Sequence, residues 1–188
     1  YFLENNELVQ WPYGVPYPVR VADHNRIFAA LPWSGGGEPI WYQHDARVSN
    51  CQVLTAFGSP LFPAVIKLLE DFERDHRGKS PEEREEITNA IGNQLVSVEP
   101  GREKPAVNRT VTTVVARGDT GGVEVVIMGN CGYRQTALIA AESVRRLLNG
   151  QLLKTGFQAA SHAFGARNLI NALAERGYFT TTPTVRAI

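Results

Sequence analysis

The chain has 188 residues, 43% of them apolar and 20% charged, which allows a substantial buried core and excludes disorder as the organising principle. Lys+Arg and Asp+Glu balance at 19 each, so the net charge is zero and the basic excess of a nucleic-acid binder is missing. With two cysteines, Cys51 and Cys131, a disulfide framework cannot organise the fold, and both read as free, buried thiols of a reducing compartment.

No apolar run approaches the ~20 residues that span a bilayer, and no charged stretch precedes an apolar one at the N-terminus as in a signal peptide. A cytoplasmic location is expected. The sequence opens on Tyr1 rather than Met, so a fragment of a longer protein is expected too. Asn108-Arg109-Thr110 has N-glycosylation spacing but falls in strand-like sequence, and is set aside.

Residues 1–39 form a turn-rich segment. Pro12, Pro16, Pro18, Pro32 and Pro39 interrupt it and Gly35-Gly36-Gly37 closes it, which disfavours long regular elements. Trp11, Tyr13, Tyr17 and Trp33 either pack over a core or line a pocket. Pro39 to Phe57 reads as one or two strands, on Ile40, Tyr42, Val48, Val53 and Phe57. Pro63 to Arg77 reads as a helix with Val65, Ile66, Leu68, Leu69 and Phe72 on one stripe, cations in its last turn and Gly78 as a stop. Ser80-Pro81-Glu82-Glu83 is a capping box: Ser80 accepts from the N–H of Glu83, whose carboxylate reaches back to the N–H of Ser80. The helix that follows is polar, with Ile87, Ala90, Ile91 and Leu95 on its inner side and its glutamates on a solvated face.

Val107 to Ala116 and Val123 to Met128 read as a β-hairpin about Arg117–Gly122. Val107, Val111 and Val115 share one face, and Val123, Val125 and Ile127 another. Tyr133 to Leu148 reads as a helix whose buried stripe is Ala137, Ala140, Ala141, Val144, Leu147 and Leu148, ending at Asn149-Gly150. Thr155 to Gln158 has the spacing of a second capping box. Two short helices separated at Gly165 follow, the second carrying Leu169, Ile170 and Leu173 and stopping at Gly177. Residues 178–188 read as a loose, Thr-rich tail. The expected architecture is a single α+β domain over 1–188, with a mostly antiparallel or mixed sheet and helices packed on one face.

Catalytic motifs are missing. His24, His44, His76 and His162 show no metal-ligand spacing, and His44-Asp45 reads as structural. There is no nucleophile elbow, no cysteine with a local histidine and no Gly-x-Gly-x-x-Gly fingerprint. The nearest feature is Gly129-Asn130-Cys131-Gly132, between a strand and a helix. Its backbone N–H groups, with Arg134, suit an anion; equally, the glycines serve a sharp reversal. Any site is therefore placed at Tyr133, Arg134 and Thr136, with Trp11, Tyr13 and Trp33 as lining, and Gly129 and Gly132 as anion-binding candidates. No catalytic residue and no metal is assigned.

Gly132-Tyr133-Arg134-Gln135-Thr136-Ala137-Leu138-Ile139-Ala140-Ala141-Glu142-Ser143 resembles the late helix of saccharopine-dehydrogenase-like oxidoreductases, which include the trans-acting enoyl reductases. Lys154 to Ala160 resembles that family's short helix, with Gly156 where a proline is common. Leu169 to Leu173 with Gly177 resembles its final helix. The resemblance covers roughly 106–177. It implies that a separate N-terminal Rossmann domain carries NAD(P), that this chain binds no cofactor alone, and that it is the C-terminal substrate-binding and dimerisation domain, a homodimer without activity of its own. The alternatives are a free-standing small-molecule-binding domain and a structural dimerisation module. Neither nucleic acid nor a membrane span is expected.

Overall fold

The computed structural model describes residues 1–11, 14–21, 25–32, 37–60, 62–95, 102 and 104–186. Backbone contacts group them into two compact units, Tyr1–Val98 and Glu99–Ile188.

In the first unit, β1 (Phe2–Glu4) and β2 (Glu7–Val9) form an antiparallel hairpin. Its two-residue turn, Asn5-Asn6, has φ of 50° and 68°, a left-handed conformation that asparagine tolerates and that such hairpins require. β3 (Tyr17–Arg20) and β4 (Ile27–Ala30) form a second two-stranded hairpin, where every strand is an edge and Pro18 is tolerated. After α1 (Gly37–Tyr42), extended chain meets both hairpins. Leu3 and Cys51 exchange two N–H···O bonds of 2.9 Å, and Leu31 and Thr55 exchange two of 2.9 and 2.8 Å. Leu3 and Leu31 are fully buried.

Leu31 then packs on Phe62 and Ile66 of α2 (Phe62–His76), with Val65 and Leu69 beside them. Gly14 lies against the same helix, its Cβ position only 3.1 Å from the carbonyl oxygen of Leu69, which is why the aromatic loop needs glycine there. α3 (Pro81–Leu95) is tied back to α2 by Arg84, whose guanidinium donates to Glu73 at 2.7 Å and lies over the Phe72 ring.

In the second unit, β5 (Thr110–Gly118), β6 (Gly121–Gly129) and β7 (Phe179–Arg186) form one antiparallel sheet in the order β5-β6-β7. α4 (Gly132–Leu148), α5 (Ala160–Phe164) and α6 (Ala166–Glu175) lie between β6 and β7 in the chain. Leu169 and Leu173 of α6 form the core with Phe179, joined by Ile127 from the sheet and Ile139 from α4. Gly165 and Gly177 have φ of 79° and 70°, and separate α5 from α6 and end α6 respectively. The fold is α+β, and every strand pair among the described residues is antiparallel.

Four expectations are corrected. The run from Pro39 begins as the helix α1 and continues with isolated bridges instead of strands; Pro39 sits in the first turn, where its missing N–H costs nothing. Val107 lies in a turn before β5, 73% exposed, and does not share a strand face with Val111 and Val115. The capping box at Thr155 caps no helix: α5 starts at Ala160, preceded by Ala159 with no side-chain cap. The Thr-rich tail is β7, in register with β6 from Phe179↔Gly129 to Arg186↔Gly122. Its β-branched residues favour extended backbone, and the edge of β6 supplies the partner.

The capping box at Ser80 forms as expected. The Glu83 N–H donates to Ser80 Oγ at 3.2 Å and the Ser80 N–H to the Glu83 carboxylate at 2.9 Å. The Ser80→Ala variant is expected to lose about 1 kcal/mol of stability, read from equilibrium denaturation by far-UV circular dichroism; an unchanged midpoint would show that α3 does not depend on its cap.

Candidate functional site

The junction of β6 and α4 was the favoured site on sequence, and its glycines prove to have different roles. A Cβ on Gly129 would run into the Gln135 side chain. Gln135 folds back across that glycine and its carbonyl oxygen accepts from Thr110 Oγ1 at 3.0 Å. Gly129 is therefore glycine to make room for a side chain that pins α4 to β5. At Gly132 an added Cβ would meet only Thr110 Cγ2, at an ordinary 3.6 Å. Between them Cys131 is 1% exposed and takes φ of 61°, a left-handed conformation unusual outside glycine.

Tyr133, Arg134 and Thr136 lie on the first two turns of α4 and face solvent, Tyr133 at 84% exposure. The Thr136 hydroxyl donates to the carbonyl of Gly132 at 3.2 Å. Trp11 belongs to the first unit. Its ring centroid is 5.4 Å from Phe2 and 5.8 Å from Tyr17, and its Nε1 donates to Glu4 at 2.7 Å. This is aromatic packing over a hairpin. Burial, and then the charge of Glu4, raise the Tyr17 phenol above its ordinary value. Tyr13 and Trp33 lie outside the described residues.

Other candidate chemistry resolves into structure. Asp45 pairs in two-pronged fashion with Arg47 at 2.8 and 2.6 Å. Hydrogen bonding at the start of α3, from its backbone and from Ser80, holds the Glu82 carboxyl below its ordinary value. An apolar cavity of about 40 Å³ lined by Leu68, Leu69, Phe72, Thr88 and Ile91 lies between α2 and α3, far below the volume of a small-molecule pocket. Among the described residues, no three His, Cys, Asp or Glu side chains are grouped to hold a metal, and no helix is long and apolar enough to cross a membrane.

The decisive feature is one that sequence reasoning missed. Glu142 on α4 is 5% exposed, and three arginines converge on its carboxylate. Arg145 donates to both oxygens at 2.9 and 2.8 Å, Arg146 to one at 2.8 Å, and Arg176 from beyond α6 to the other at 2.7 Å. Arg146 also donates to the carbonyl of Asn168 at 3.0 Å. The Arg145 hydrogen bonds, with those of Arg146 and the charge of Arg176, outweigh desolvation and hold the carboxyl down to about 2. The spacing of Glu142 to Arg145 and Arg146 was a visible signal; the reach of Arg176 was not.

This cluster sets the rotation of α4. Gln135, Ile139, Glu142 and Arg146 face inward, and the stripe expected to be buried faces solvent. Ala137, Ala140 and Ala141 are exposed, as are Val144 at 56%, Leu147 at 53% and Leu148 at 81%. With Tyr133, these residues recur at intervals of three and four and form one continuous apolar seam.

Two measurements test this geometry. Glu142→Gln is expected to cost about 2 kcal/mol at neutral pH, less than a fully buried pair because Arg145 and Arg176 are 45% and 39% exposed. Because the folded carboxyl lies near 2 against an ordinary 4.5, its contribution is complete above 4.5, shrinks as pH falls below that and is gone near 2. Denaturation of the two forms across this window should converge at the acid end; a constant gap would refute the assignment. Gly129→Ala is expected to cost about 1 kcal/mol, because the Gln135 side chain must swing away and give up its bond with Thr110, and adding Gln135→Ala should cost little more, since that bond is already lost.

Neither curated proteins nor solved structures match the chain. The family described as "Family of unknown function (DUF5938)" matches residues 1–186, across both units, and the chain belongs to that family.

Proposed function

We propose that this chain is a non-catalytic association domain, the subunit-pairing portion of a saccharopine-dehydrogenase-like oxidoreductase in the cytoplasm. The observation that carries the reading is the outer face of α4, where Tyr133, Val144, Leu147 and Leu148 are all more than half exposed. An apolar stripe along a whole helix marks a surface that another surface covers. The oxidoreductase link rests on the sequence resemblance across roughly residues 106–177. In that scheme NAD(P) belongs to a separate Rossmann domain. Gln135 fills the space over Gly129, so the strand-turn-helix junction of this chain does not fit a pyrophosphate lying close to the backbone.

Sedimentation of the chain at tens of micromolar is expected to give a mass above monomer. Leu148→Asp, at a position 81% exposed, should restore the monomer with an unchanged far-UV spectrum. A wild-type monomer at that concentration would sink the reading.

A further inference from the structure

We propose that Arg145 and Arg176 form a binding site for a small phosphate-bearing ligand, built on the buried carboxylate of Glu142. Glu142 supplies one negative charge, and three guanidinium groups converge on it, so the cluster carries an excess of two positive charges. Glu175, next to Arg176 in the chain, pairs with none of them. The carbonyls of Asn168 and Ala172 on α6 accept from Arg146 and Arg176, but the partial charge at a helix end is only about half a unit. The excess also sits in a basic unit. Glu99–Ile188 holds 11 of the 19 Lys+Arg residues and 6 of the 19 Asp+Glu residues, so the zero net charge of the whole chain conceals a cationic second unit.

The three arginines divide the work. Arg146 is 11% exposed and bonded at both Nε and Nη2, so it serves the interior. Arg145 and Arg176 donate to the same oxygen, Glu142 Oε2, at 2.9 and 2.7 Å. That holds two like charges side by side where they reach solvent, 45% and 39% exposed. Both keep donors in reserve. Arg145 Nη1, and Nε and Nη2 of Arg176, have no protein acceptor among the described residues. Glu142 already fixes both guanidinium groups, so a ligand that takes these donors does not have to order two long side chains, a main cost of binding at a surface.

Charge and donor number select the ligand. A carboxylate cancels one of the two excess charges. A phosphate monoester carries roughly 1.5 to 2 negative charges near neutral pH and presents three acceptor oxygens, which matches both the excess and the three unused nitrogens. Guanidinium forks suit that planar, multidentate recognition. A nucleic acid would require a track of phosphate contacts, whereas these two arginines meet at one point. The strand-to-helix junction at the other end of α4 is already filled by Gln135 over Gly129.

Titration of inorganic phosphate into the full chain, followed by phosphorus NMR line broadening with ionic strength held constant by chloride, tests the site. Two charge-assisted contacts should give saturable binding with a Kd on the order of 1 mM, and acetate should bind at least about tenfold more weakly because it leaves one charge uncancelled. Arg145→Gln and Arg176→Gln should each weaken phosphate binding by about tenfold or more with an unchanged far-UV spectrum, since two arginines remain on Glu142 in either variant. Should Arg176→Gln fold poorly, Arg176→Lys replaces it, keeping the charge but giving up the fork, and should also bind more weakly. Tighter binding of glycerol phosphate than of inorganic phosphate would mark an esterified ligand and equal affinity the free ion; either supports the site. No saturation at tens of millimolar phosphate would overturn it. So would loss of binding in Arg134→Gln with none in Arg145→Gln, which would move the anion to the start of α4.

Discussion

A single buried carboxylate governs the second unit. Glu142 cannot enter the interior of a protein as a charge without compensation, and its three arginines supply more than one counter-charge, two from its own helix and one from beyond α6. That requirement fixes the rotation of α4 about its axis. Once Glu142 faces α6, Ile139 follows one turn earlier and joins Leu169 and Leu173, and Gln135 follows one turn before that and lands over Gly129. The inner face of α4 is thus held by polar contacts at its start and middle with a single aliphatic layer between them. The outer face receives the stripe the pattern assigned to the interior, Ala137, Ala140, Ala141, Val144, Leu147 and Leu148.

This inversion explains what could be read from sequence and what could not. Helix existence was legible: α2, α3, α4 and the pair α5–α6 follow from periodicity and punctuation by Gly78, Ser80, Asn149, Gly165 and Gly177. The side of α4 that packs was not, because periodicity identifies an apolar stripe and cannot say whether the stripe meets its own core or another molecule. The missing information was tertiary: Arg176 lies 34 positions from Glu142, and no local spacing reveals such a contact. The same limit hid β7, whose threonines look like a polar tail until β6 offers them a ladder.

In the first unit the prolines rightly disfavour long elements, and the strands are three and four residues long. Asn5-Asn6 between Phe2-Leu3 and Leu8-Val9 is a local hairpin signal, as legible as the capping box at Ser80. Prolines exclude long strands but permit three- and four-residue ones at sheet edges, and this unit has two such hairpins. Trp11 shows why aromatic density is a weak guide to pockets. Its ring finds Phe2 and Tyr17, and its N–H finds Glu4, so both its apolar area and its polar handle are used within the unit.

The balance of exposed surface then bears on function. Single exposed apolar residues are ordinary on any protein and need no cause. A whole helix face is different, since the fold had an alternative: α4 could have turned its alanines and leucines inward at no cost in helix propensity. It instead buries a glutamate that needs three arginines to be tolerated. A buried ion cluster often stabilises no more than apolar packing of the same volume. The association proposed for α4 would offset this, because covering the apolar face would return to a contact the area withheld from this unit's core.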